Sequence, residues 1–211
     1  MSDETERPRA GRKIDRSRDP DILDAALDVL AETGYAGMTV EMVATRAHAG
    51  KASLYRRWAS KADLLLDALT RLPSPQLDDV PDTGSLRGDF NEAAARRAPE
   101  DGERRLRIMA GLMSMVAEDT RLADAANDVA VEPWVEFNRL LLTRAVGRGE
   151  IPATTDIETL ARVVPSMATY RVAVQRKPIP PDYVAGLIDT VLLPALGLSA
   201  APTSATDPGS R

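Results

Sequence analysis

The sequence predicts an all-α fold of about nine helices, divided into a short N-terminal unit and a longer C-terminal one. Three observations carry this expectation. Ala, Leu and Val supply most of the 44% apolar content while aromatic residues make up only 4%, a mixture that favours helices over sheets. Apolar residues recur at three- and four-residue spacing between recognisable caps. No segment alternates apolar and polar residues as a half-buried strand does, and no internal repeat is visible.

The first helix is marked at both ends. Asp19 is placed to cap it, Pro20 suits its first turn, and Asp21 and Asp24 lie near the positive end of the helix dipole. Ile22, Leu23, Ala26, Leu27 and Leu30 form one apolar stripe, and Gly34 ends the helix in the left-handed position. A second helix starts after Thr39, buries Val40, Val43, Ala44 and Ala47, and breaks near His48-Ala49-Gly50. A third, short helix runs from Lys51 to Trp58. Ser60-Lys61-Ala62-Asp63 then reads as a capping box with Asp in place of Glu, opening a fourth helix from Leu64 to about Leu72.

Leu72 to Gly84, rich in Pro, Asp and Gly, reads as a linker between domains. Helical patterns follow over about 85–98, 101–117, 119–147, 156–176 and 181–196. Pro133 is expected to kink or split the third of these, and Pro165 to kink the fourth. The domain reading is a basic, disordered arm (1–18), an N-terminal helical domain (19–72), a C-terminal helical domain (73–198) and a disordered tail (199–211).

Charge narrows the function. The chain has 211 residues and a net charge of −5, yet residues 1–72 balance 12 Lys/Arg against 12 Asp/Glu. From Arg7 to Arg18 six cations face only Asp15, and between Glu41 and Asp63 there is no carboxylate. A basic arm followed by a basic segment suits a nucleic-acid surface, where Lys and Arg neutralise phosphates; for the arm alone, a solubilising tail is the alternative. Cysteine is absent, which excludes disulfides, thiolate metal sites and a cysteine nucleophile. No secretory signal or membrane-spanning run is visible, so a cytoplasmic location is expected.

Two short helices joined by a tight turn, the second carrying exposed cations, describe a helix-turn-helix. Leu54 holds the third helix on the second, leaving Lys51, Ser53, Arg56 and Arg57 to face outward. Lys51 and Arg57 are the candidates for guanine or phosphate contacts, and Ser53 and Tyr55 can donate to phosphate oxygens. At a single position a solvated cation is the plainer reading; cap, turn, cations and apolar face together favour DNA.

The stretch Ile22 to Leu69 resembles the DNA-binding domain of TetR-type transcriptional regulators. The matching elements are Gly34-Tyr35, Thr39-Val40, Leu54-Tyr55 and Ser60-Lys61. The resemblance implies a homodimer whose N-terminal domains bind a palindromic double-stranded operator and whose divergent C-terminal domain dimerises and holds a small molecule. It implies phosphate contacts at Thr39, Tyr55 and Lys61 and base approach at Lys51, Ala52 and Ser53, with Arg46, His48, Arg56 and Arg57 beside them. The turn departs from the family's usual glycine, aliphatic residue and serine: it holds His48, Ala49 and Gly50. Histidine tolerates a left-handed backbone better than most residues, whereas Gly50 offers no side-chain cap.

The C-terminal half shows no catalytic signature, no metal cluster and no cofactor motif, which argues against an enzyme. Its large adaptable residues are Met109 and Met113 on one helix, Trp134, Phe137, Asn138 and Leu141 on the next, and Met167, Tyr170, Arg171 and Val174 after that. Each alone reads as core; with the resemblance, they are expected to line a mostly apolar effector pocket, with Asn138 and Arg171 as polar contacts. Val163, Met167, Val184, Leu187, Ile188 and Val191 are the expected dimer-interface residues. The expected function is a repressor released from its operator by a small apolar molecule. The alternatives are a DNA-binding regulator without a ligand and a helical enzyme.

Overall fold

The computed structural model describes residues 16–96, 102–116 and 120–198; most of the basic arm and all of the expected tail lie outside them. The described residues are helical, without strands. The helices are α1 (Asp19–Gly37), α2 (Val40–Arg46), α3 (Lys51–Tyr55), α4 (Lys61–Leu69), α5 (Leu86–Arg96), α6 (Gly102–Val116), α7 (Thr120–Ala130), α8 (Glu132–Gly147), α9 (Ile157–Ala173) and α10 (Pro181–Leu187). The last continues through a π-helical turn (Ile188–Leu192) into α11 (Leu193–Ala195).

Local chemistry accounts for most boundaries. Gly34 takes φ +67°, interrupting α1 at the expected residue, although helical bonding resumes as far as Gly37. Thr39 caps α2 by accepting from the Met42 N–H at 3.2 Å. Ser60 caps α4 by accepting from the Asp63 N–H at 3.1 Å and donates its hydroxyl to the Asp63 carboxylate, so α4 starts at Lys61 rather than Leu64. The expected 119–147 helix divides at Val131 because Pro133 sits in the first turn of α8, where its missing N–H costs nothing. Arg18, not Asp19, occupies the cap position of α1.

Two apolar cores form. The first joins α1–α4 to Ile108, Leu112 and Met115 of α6 and to Leu122 and Ala126 of α7. It therefore runs across residue 72, where the sequence suggests a domain boundary. Gly111 makes this possible: a Cβ there would stand 2.6 Å from the Leu30 carbonyl oxygen, so only glycine lets α6 lie so close to α1. Arg104 Nε reinforces the contact on Asp28 Oδ1 at 2.8 Å. The second core packs α5, α8, α9 and α10 around Phe90, Leu141, Leu142, Ile188 and Leu192.

The proline-rich stretch after α4 is held, not loose. Arg144 donates to the Val80 and Pro81 carbonyls, both at 2.9 Å. Asp89, fully buried, accepts from Thr83 N–H and hydroxyl and from Arg148 at 3.0 Å. Glu150 accepts from the Leu86 N–H and also pairs with Arg148. Burial works against the charge on Arg148, but Glu150 and Asp89 outweigh it and hold the guanidinium above its ordinary pKa. Residues 73–79 thus form a strap anchored to α4 at one end and to α8 at the other.

The π turn explains a further departure. Val184, Leu187, Ile188 and Val191 fit one regular helical stripe, but the wide turn shifts the pattern by one residue. Leu192, Leu193 and Leu196 become the buried positions, and Val191 turns outward.

Candidate DNA-reading surface and effector cavity

The helix-turn-helix is built by backbone chemistry at its turn. Ala49 N–H reaches the Ala44 carbonyl at 2.9 Å and His48 N–H the Thr45 carbonyl at 3.2 Å. This paired closure needs a left-handed residue between the two helices, and His48 supplies it with φ +48°. Arg18 donates to the carbonyls of Ala47 (2.6 Å) and His48 (3.2 Å), tying the root of the arm to the turn. Leu54 is fully buried against α2 and α1, and Trp58 donates its indole N–H to Asp67 at 2.7 Å, joining the end of α3 to α4.

The outward face of this unit presents Thr39, Arg46, His48, Lys51, Ala52, Tyr55 and Arg56, with Ser53 half-buried beside them. Lys51 is paired with Glu41 and lies 5.8 Å from the Tyr55 ring centre. Arg46 reaches Glu32 at 2.5 Å; that hydrogen bond raises the arginine's pKa and lowers the carboxylate's. Lys61 is turned to the first corner, donating to the Tyr35 carbonyl at 2.8 Å with its ammonium 4.0 Å from the Tyr35 ring centre. Arg57 corrects the expectation of an outward cation. Its side chain is 9% exposed and its Nε lies 3.0 Å from Asp19 Oδ1. Helical bonding continues past α3, with Trp58 N–H on the Leu54 carbonyl at 2.9 Å, and the Arg57 side chain lies on the side of this turn that meets the start of α1.

Between the C-terminal helices lies a cavity of about 630 Å³. Of the residues expected there, Met109, Met113, Trp134, Phe137 and Asn138 line it. Trp134 and Phe137 meet edge to face with ring centres 6.5 Å apart. The other five do not line it. Leu141 is fully buried in the second core, one turn past Phe137. Met167, Tyr170 and Val174 are exposed on the opposite face of α9, and Arg171 lies over the Tyr183 ring at 4.1 Å while donating to the Pro178 carbonyl. The α9 residues facing the cavity are Val164, Pro165, Ala168, Thr169, Val172 and Ala173. The strap supplies Pro73, Pro75, Gln76 and Pro81, and Phe90 comes from α5.

The expected dimer residues separate in the same way. Leu187 and Ile188 are buried in the monomer's second core, and Val184, half-buried, and Ile188 also line the cavity. Val163 is half-buried, and Met167 and Val191 are exposed. With Tyr170 and Val174 they leave an outward apolar stripe along α9 continued by Val191. Among the described residues no group of His, Asp or Glu is arranged to hold a metal ion, and no helix is long and apolar enough to cross a membrane.

A helix-turn-helix packed on a helical unit that holds a largely apolar cavity has the architecture of a DNA-binding regulator. Sequence comparison gives the family. Residues 22–68 match the bacterial regulatory proteins of the tetR family, and residues 80–191 match the tetracyclin repressor-like C-terminal domain. An HTH-type transcriptional regulator of Mycobacterium tuberculosis is 34% identical over 85% of this chain and 88% of its own length. The DNA-binding transcriptional repressor TetR of Mycobacteroides abscessus is 32% identical over 84% of this chain and 93% of its own. In fold, the chain is similar to NalD, the secondary repressor of the MexAB-OprM multidrug efflux pump in Pseudomonas aeruginosa (TM-score 0.60, 21% identity, 83% of this chain and 94% of that one). The chain belongs to the TetR family of helix-turn-helix transcriptional regulators.

Proposed function

We propose that this regulator is a homodimeric repressor that leaves a palindromic operator when a small, mostly apolar molecule enters the cavity. The observation that carries this is the cavity's double attachment to the DNA-reading unit. Its strap wall continues directly from α4, and its α6 wall packs on α1 through Gly111 and Ile108. A ligand that reshapes either wall favours one arrangement of the reading unit over another, and only such a difference can shift the equilibrium. The outward stripe Met167-Tyr170-Val174 with Val191 is the surface we assign to the two-fold interface. Two copies joined there would present their α3 helices to successive major grooves, about one helical turn apart. Thr39, Tyr55 and Lys51 are assigned to phosphates, and Ser53 with Arg56 to the base-approaching end.

The test is fluorescence anisotropy of duplexes from the DNA flanking the protein's own reading frame against scrambled duplexes, over a salt series. The expected result is one palindromic site that survives salt able to strip scrambled DNA, weakened by Lys51→Ala with Arg56→Ala and released by a cavity ligand. Equal, steeply salt-sensitive binding to every duplex would reject sequence-specific operator recognition. Specific binding that no cavity ligand disturbs would leave a regulator without a small-molecule effector.

A further inference from the structure

Pro165 interrupts α9, and the effect reaches the cavity. In a regular helix the Ala161 carbonyl accepts from the N–H four residues on. That residue is Pro165, which has none. Asn138 of α8 supplies the donor instead: its Nδ2 donates to the Ala161 carbonyl at 2.9 Å. A carbonyl accepts only from the NH₂ side of an amide, so this bond fixes the orientation of the Asn138 amide.

The amide oxygen is thereby turned away from Ala161. Asn138 is 6% exposed and lines the cavity, and no donor among the described residues reaches its Oδ1. Oδ1 is not sealed from solvent, and an effector that displaces water from it without supplying a donor leaves the acceptor unpaired, which is destabilising. Phe90, Trp134, Phe137, Val164 and Val172 make most of the wall apolar and aromatic, and Asp79, Arg96, Arg105 and Thr169 also line the cavity. A flat, apolar ring suits that wall, and a single donor on the ring suits the oxygen.

We propose, resting on the reading of the cavity as the effector site, that Asn138 Oδ1 is a fixed acceptor selecting effectors with a hydroxyl or N–H donor on an aromatic body. Phenols and aryl alcohols are the class it favours. Isosteric ethers lack the donor, and aryl carboxylates set lone pairs against the oxygen. A site built to accept a hydrogen bond rejects the analogue that cannot supply one more strongly than an apolar pocket rejects a small change of size.

The test is calorimetric titration of the full chain with 1-naphthol, 1-methoxynaphthalene and 1-naphthoate. The expected result is that 1-naphthol binds about tenfold more tightly than its ether, the scale of one neutral hydrogen bond. In Asn138→Leu the two should bind alike. Because that variant orphans the Ala161 carbonyl, the double variant Pro165→Ala with Asn138→Leu serves as a second arm: the new N–H stands where α9 can use it, and the same loss of preference is expected. Equal binding of naphthol and ether to the natural protein, a preference surviving in either variant, or a naphthoate affinity that does not rise in Asn138→Leu would overturn the inference while leaving the cavity an effector site, since Arg96 and Arg105 also line it and can hold a carboxylate by themselves. Binding of none of the three would overturn both.

Discussion

Arg57 Nε lies 3.0 Å from Asp19 Oδ1, and the arginine side chain is almost fully enclosed. A cation expected on the reading face therefore clamps the end of the recognition segment to the start of α1. Removing one partner of an enclosed pair leaves the other charge uncompensated. Because Asp19 is partly exposed, the expected loss for Arg57→Ala is about 1–3 kcal/mol, less than for a fully buried pair. Arg56→Ala, on the exposed face, should leave urea denaturation unchanged and lower the salt slope of DNA binding by about one. Unfolding midpoints that fall equally for the two variants would refute this division of roles.

His48 holds a left-handed conformation that glycine adopts without strain. His48→Gly should raise stability by about 0.5–1 kcal/mol, the relief of that strain being partly offset by the added freedom of the unfolded chain. Thermal unfolding of the two proteins at equal concentration measures it; a lower midpoint for the glycine variant would argue against strain at the turn.

Gly111→Ala places a methyl 2.6 Å from the Leu30 backbone oxygen, which has no flexible side chain to move aside. Overpacking of this kind costs about 1–3 kcal/mol. Since the same contact joins the cavity's α6 wall to α1, the variant should also bind operator differently in the absence of any ligand. Anisotropy beside calorimetric unfolding separates the effects, and an unchanged unfolding temperature would show that α6 can retreat freely.

Arg148→Met strips the buried Asp89 of its cation, leaving it only the two Thr83 donors. A loss of about 3–5 kcal/mol is expected. The double variant Arg148→Met with Asp89→Asn should recover part of it, because an amide needs no counter-ion. Chemical denaturation of the single and double variants gives the coupling, and additive losses would mean the two groups are independent.

Acid should weaken the fold in a definable range. Hydrogen bonds from Arg46, Arg162 and Arg139 hold Glu32, Glu132 and Glu158 below their ordinary 4.5, and the Thr159 hydroxyl and N–H hold Asp156 below 3.8. A carboxylate depressed in the folded state contributes stability that is present above its unfolded value and disappears as pH falls through its folded one. Stability should therefore be flat above about pH 5 from these groups and decline below about pH 4.5. Glu32, Asp156 and Glu158 are exposed and Glu132 is half-buried, so each contribution is small and salt-sensitive. Denaturation midpoints across that range at low and high salt test both points.

Much of the reading unit was legible because short-range chemistry sets it. Gly34, the Thr39 and Ser60 caps and the His48 turn each act within four residues of themselves. Arg57 was not legible, because its partner lies 38 positions away in sequence. In the cavity, residue size misled: Met167, Tyr170 and Val174 drew attention, while the inward face of α9 carries Val164, Pro165, Ala168 and Val172, whose modest volumes help leave room for a ligand. The strap was read as a linker from its prolines and acids. What holds it, Arg144, Arg148 and Glu150, lies more than sixty residues further on. The separation of Val191 from Leu187 and Ile188 was not legible because regular periodicity cannot anticipate a π turn.

That π turn behaves like a frameshift within a helix. Ahead of it, Val184 and Ile188 face the cavity; beyond it, Leu192 and Leu196 face the core, and Val191 is released to the outside. One surplus residue thus lets a continuous rod contribute to two neighbourhoods that a regular rod of the same sequence would have confused. A descendant losing one residue between Ile188 and Leu192 would close the wide turn into regular helix and leave the downstream leucines on the core, whereas a loss further along, where no residue is surplus, would rotate the end of the rod by about 100°.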